Sequence, residues 1–84
     1  MQNSFSPNAT QLLKYFQERG LIAADFILPG ELGKILPDPN DCIAAIHELA
    51  GAGWMMIDPK SPGPVPRVAL NDFGFKMLHR AAGA

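Results

Sequence analysis

The chain has 84 residues, 48% of them hydrophobic and 18% charged, and carries a formal net charge of −1 at pH 7. This length suits one small domain with a single core, and the near-neutral balance supplies no general attraction for phosphate, lipid headgroups or acidic substrates. Any contact with nucleic acid therefore has to come from locally placed charge.

The lone Cys42 excludes an intramolecular disulfide. The start Met1-Gln2-Asn3-Ser4-Phe5 lacks the basic and apolar regions of a secretion signal. No apolar run approaches membrane-spanning length. The chain thus reads as one soluble, cytoplasmic domain over residues 1–84 without internal repeats, residues 1–6 forming a flexible N-terminus.

In chain order, Ser6-Pro7 has the form of an N-cap followed by proline at the first helical position, and Ala9, Leu12, Leu13 and Phe16 recur at helical spacing until Gly20. A first helix with one core face is expected. Phe26-Ile27-Leu28 is long enough for one short strand, and Pro29 to Leu36 reads as a short helix weakened by two glycines.

Asp38, Pro39 and Asp41 give the clearest helix start: an N-cap, a proline at the first position, and a carboxylate three residues after the cap. This third helix runs to Gly51 or Gly53. At about 100° per residue, Cys42, Ile43, Ile46, Leu49 and Ala50 fall on one side. Asp41, Ala44, Ala45, Glu48 and Ala52 fall on the other.

Trp54–Ile57 and Arg67–Leu70 are short, apolar and rich in β-formers, and are expected to pair as an antiparallel hairpin. Between them, residues 58–66 contain four prolines and read as an extended, semi-rigid loop. Asn71 caps a last helix, with Phe73, Met77, Leu78 and Ala81 facing inward and Gly83 ending it. Trp54, at the helix–strand junction, is expected to be buried.

Two stretches carry a resemblance. Leu49…Gly53-Trp54-Met55 is similar to the junction where the third helix of winged helix-turn-helix domains enters the hairpin. Leu70-Asn71-Asp72-Phe73-Gly74…Leu78 is similar to the segment that closes many bacterial winged-helix regulators, with Asn71 where threonine is usual. The element order from Pro7 to Ala82 also resembles that superfamily, in its small bacterial or phage type. The resemblance implies an α+β, mostly helical fold: a single winged-helix domain with a three-helix core, a two-stranded antiparallel wing hairpin with a Pro-rich loop, a C-terminal helix and a short strand at 26–28.

Winged helices commonly lay the third helix in the DNA major groove and bring the wing to the backbone or minor groove. Such a helix needs donors for phosphates and base edges. Here Asn40 is the only Arg, Lys, Asn or Gln between Asp38 and Gly53, whereas Asp38, Asp41 and Glu48 would be repelled by a polyanion. The wing adds Lys60 and Arg67, two cations that give only weak, salt-sensitive phosphate binding. Lys76 and Arg80 suit the C-terminal end of the last helix dipole.

No nucleophile, base and metal arrangement is visible, so an enzyme is not expected. Cys42, His47 and His79 lack the paired spacings of a zinc site, and no glycine-rich stretch has phosphate-binding form. No cofactor, metal or small-molecule substrate is implied. Pro59-Lys60-Ser61-Pro62 is formally P-x-x-P, for which a stiff wing is explanation enough.

Two functions remain. A protein-interaction module, with Asp41, Ala44, Ala45, Glu48 and Ala52 as its face and a protein partner or a second copy as occupant, stands slightly ahead. The alternative is a DNA-binding transcription regulator using Asn40, Lys60 and Arg67. Their combination is a homodimer through the first and last helices that brings two wings to DNA.

Overall fold

The computed structural model describes residues 5–83, and their side chains as far as Arg80. Four helices and one two-stranded antiparallel sheet make an α+β, mostly helical domain: α1 (Pro7–Glu18), α2 (Pro29–Ile35), α3 (Pro39–Gly51), β1 (Met55–Ile57), β2 (Val68–Leu70) and α4 (Asp72–Gly83). Among the described residues no helix is long and apolar enough to cross a membrane.

Local chemistry sets the helix boundaries. At α1 the Ala9 N–H donates to Ser6 Oγ, and at α3 the Asn40 N–H donates to Asp38 Oδ1, each cap followed by proline. Both helices end in the same way. Gly53 takes φ +81°, its N–H donates to Ala50 O, and the Trp54 N–H reaches back to Leu49 O. Gly20 repeats the pattern after α1, with φ +65° and the Leu21 N–H on Phe16 O. Two orphan carbonyls are satisfied at each end, and the chain is turned sharply toward its next element.

The first helix buries the expected face, Ala9, Leu12, Leu13 and Phe16, against α3. From α3 the core takes Cys42, Ala45, Ile46 and Leu49. Ala45, expected on the exposed side, is 1% exposed. Cys42, Ala45, Ile46 and Leu49 follow the i, i+3, i+4, i+7 stripe, whereas Ile43 and Ala50, assigned to the core, lie at its half-buried edge. The Cys42 thiol donates to Leu36 O at 3.0 Å, and burial first, then the neighbouring Asp41 and Asp38, push its pKa up.

In the sheet, Met55 faces Leu70, Met56 faces Ala69 and Ile57 faces Val68. The strand expected at 26–28 is present as one bridge: Ile27 pairs with Val68, its N–H donating to Val68 O at 2.8 Å. Trp54 is buried, as expected at the junction.

The loop between the strands departs from the extended form. Asp58 accepts from the Lys60 N–H through Oδ1, the Ser61 N–H donates to Asp58 O, and Gly63 takes φ +86°. Val65 then packs back onto the core. The polyproline geometry is broken at Gly63, because that conformation requires φ near −75°.

The last helix is capped as expected, with the Gly74 N–H on Asn71 Oδ1 at 2.7 Å. Its inward face differs. Phe73 is 52% exposed, with its ring edge-on to Trp54, while Gly74 is buried and Met77 and Leu78 are half-buried. The side chain of Ala81 lies outside the described residues.

Candidate functional site

The two stretches singled out by the sequence meet in space. The Asn71 N–H donates to Trp54 O at 3.1 Å, and Asn71 Nδ2 donates to Gly53 O at 2.6 Å. A Cβ added to Gly74 would stand 2.0 Å from Trp54 O and 2.7 Å from its carbonyl carbon. The start of α4 thus lies backbone to backbone against the turn leaving α3, and only glycine permits that approach. This clasp fixes how the turn leaving α3 and the start of α4 sit together, while packing against α1, α2 and β1 sets which side of α3 is free.

The free side of α3 presents Asn40, Asp41, Ala44 and His47, with Ala52 at the C-cap. It lacks two members of the expected face. Ala45 is in the core. Glu48 is half-buried and engaged: Ser6 N–H donates to its Oε2 at 2.8 Å and Ser6 Oγ–H to its Oε1 at 2.7 Å. The third helical position of α1 is Ala9, which has no carboxylate to complete a capping box, so Glu48 of the neighbouring helix satisfies the cap residue instead. Ser6, expected in a flexible terminus, is thereby tied down, and the Phe5 ring stands 5.0 Å from Trp54, edge-on.

At the wing, Lys60 is exposed, but Arg67 is not a free cation. Its Nη2 donates to Asp58 Oδ2 at 2.9 Å, its backbone N–H donates to Ser61 Oγ, and its Nε is buried without a partner. Asp58 therefore neutralises one of the two wing charges. Among the described residues no group of three or more His, Cys, Asp and Glu side chains is placed to hold a metal ion.

Sequence reading missed two surfaces. On the outer side of the sheet, Phe26, Leu28 and Met56 are 44%, 54% and 37% exposed, flanking the buried Ile27 and Met55. Extending the Ile27–Val68 register by one residue sets Phe26 beside Ala69, which itself faces Met56, so Phe26 and Met56 flank a fully buried Ala69, and Leu28 falls two residues further along. The available signal was three consecutive apolar residues in a short strand, whose side chains must point to opposite faces and so cannot all enter one core. The second surface is the seam between α1 and α4, where Leu21, Phe75 and Leu78 stay half-buried.

A charged joint ties α1 to α2. The Tyr15 hydroxyl donates to Glu31 Oε2 at 2.5 Å, and Arg19 Nη1 donates to the Tyr15 hydroxyl at 3.0 Å while standing 3.7 Å from Glu31. The hydrogen bond from Tyr15 and that from the Leu28 N–H hold the Glu31 carboxyl below its usual pKa. The same bond to Glu31, and then burial, raise that of Tyr15. Every member of this joint has a structural use.

No family model matches the chain, and no curated protein or solved structure matches it at a significant level.

Proposed function

We propose that the chain is a non-enzymatic binding module of winged-helix type whose partner is a protein. The order of elements, with the bridge at Ile27 and the hairpin following the third helix, supports the winged-helix reading. Fold alone does not choose a partner.

One observation carries the choice. The free side of α3 offers Asn40, Asp41, Ala44 and His47, and no lysine or arginine. A helix seated in a nucleic-acid groove must neutralise phosphates and donate to base edges, whereas this one would bring a carboxylate to a polyanion. The wing does not compensate, because Arg67 is already paired with Asp58. Exposed apolar side chains at Phe26, Leu28 and Met56 instead suit contact with protein.

Fluorescence anisotropy of a labelled mixed-sequence duplex, titrated with the protein at low and then physiological salt, tests this reading. No saturable binding is expected even at low salt, where attraction between charges is greatest. Binding that falls steeply with salt and is lost in Lys60→Glu would overturn it in favour of a DNA-binding regulator.

A further inference from the structure

Two cavities open along the seam between α1 and α4. One, of about 240 Å³, is walled by Phe16, Leu21, Ile22 and Phe75. The other, of about 430 Å³, is walled by Phe5, Leu13 and Trp54. Both include Gln17 and Leu78, so they are two ends of one trough divided by that pair of side chains. The trough follows α1 from Thr10 to its end at Glu18, about 12 Å at 1.5 Å per residue, and continues to Gly20 and Leu21 just beyond it, on the order of 15 Å in all.

The trough has a chemical bias. Its walls are mostly aromatic and aliphatic, and Ile22 at one mouth is 57% exposed. The titratable side chains in them are Lys14 and His79, without a carboxylate. Glu18 stands 4.0 Å from Lys14, but both side chains are about two-thirds exposed, at 65% and 70%, so water screens the pair and leaves Lys14 available. Beyond the wall, α4 adds exposed Lys76 and Arg80, with Asp72 at its head as the one acid of that helix.

We propose that this seam is a groove for an acidic amphipathic helix of a protein partner, its apolar stripe against Leu13, Phe75 and Leu78 and its carboxylates toward Lys14 and the cations of α4. The length accommodates about three turns of guest helix, the span over which i, i+3, i+4 and i+7 anchors engage. A second copy of the chain is a poor occupant. The exposed side of α4 would set cations against Lys14, and the free side of α3 is acidic but lacks an apolar stripe. The proposal rests on the protein-binding reading and names its surface and the class of its partner.

The test uses the full ¹⁵N-labelled chain and two synthetic peptides of about 14 residues, both with leucines at helical i, i+3, i+4, i+7 spacing. One carries glutamates and the other lysines at the remaining positions. The acidic peptide is expected to give saturable shifts confined to Phe5, α1, Leu21–Ile22, Trp54 and α4, with the lysine peptide binding at least about tenfold more weakly. Leu78→Glu should abolish binding. Because Leu78 also packs on the core, Lys14→Glu at an exposed side chain is the second variant, and it should weaken the acidic peptide by about tenfold without altering the fold.

Absence of saturable binding by the acidic peptide, or equal binding of both peptides, overturns the groove. Shifts centred on α3 or on Phe26, Leu28 and Met56 also overturn it, while leaving the protein-binding reading standing. That reading fails separately, through duplex binding in the anisotropy titration.

Discussion

The two halves of α4 are attached in opposite ways. At its start the helix lies against Gly53 and Trp54 through backbone groups, with the Asn71 amide bonded on both sides and no room for a side chain at Gly74. About one and a half turns later it rests on α1 through half-buried Leu78, with cavities on either side. The first attachment is over-determined and the second is open. A small domain has little stability to distribute, and here the polar, geometrically strict contacts fix the topology while the apolar ones leave surface for a partner.

The largest expected effect breaks the strict half. In Gly74→Ala the new methyl would stand 2.0 Å from Trp54 O, and the atoms in its way are backbone, which cannot swing aside. A loss of about 3 kcal/mol is expected, at the upper end for overpacking, read as a fall in the urea midpoint. A loss below about 1 kcal/mol would mean that α4 can slide on the α3–β1 turn and that the attachment is not strict.

Asn71→Ala removes the acceptor for the Gly74 N–H and the donor to Gly53 O while leaving the backbone contact. About 1–2 kcal/mol is expected from thermal melting. Leu78→Ala, in the open half, removes more atoms from a position that water already reaches, so about 1 kcal/mol is expected, well below the cost for a fully buried leucine. The comparison holds if the added methyl at Gly74 costs more than the deleted isobutyl tip at Leu78. It collapses if that order reverses.

These positions also mark where the sequence was legible. The caps Ser6, Asp38 and Asn71 were readable because a cap and its helix are neighbours in the chain, and the mostly helical α+β architecture followed from those signals and the spacing of apolar residues. The inward face of α4 was misread through Phe73 because the most closely packed point of that helix is Gly74, which carries no hydrophobic signal. Ala45 was misread for a related reason: alanine suits a core stripe and a solvent position equally well. Glu48 looked like a free surface acid, since nothing local shows that Ser6, 42 residues earlier, supplies two donors to it. Arg67 looked like a free cation until Asp58 was seen beside it. The candidate face was thus half legible: the absence of cations on α3 could be read, whereas the identity of its exposed residues depended on contacts distant in sequence.

The smallest expected effect sharpens the comparison by pH. The attachment of α4 to Gly53 and Trp54 uses backbone and amide groups, none of which titrates, whereas the joint between α1 and α2 depends on Glu31 accepting from Tyr15. Because hydrogen bonding lowers the Glu31 pKa in the folded state, its contribution is present above the ordinary carboxylate pKa and is lost as pH falls through the lowered one. Glu31→Gln should therefore melt below the wild type at neutral pH, and the two curves should converge in acid. Tyr15 adds the opposite limb: its raised pKa means that its contribution is present below its ordinary pKa and is lost as pH rises through the raised value, so the same pair of curves should also converge in strong alkali. In Asn71→Ala the deficit should stay constant across that range. If it closed in acid as the Glu31→Gln deficit does, the start of α4 would be held by charge after all, and the division between its strict and open halves would have to be redrawn.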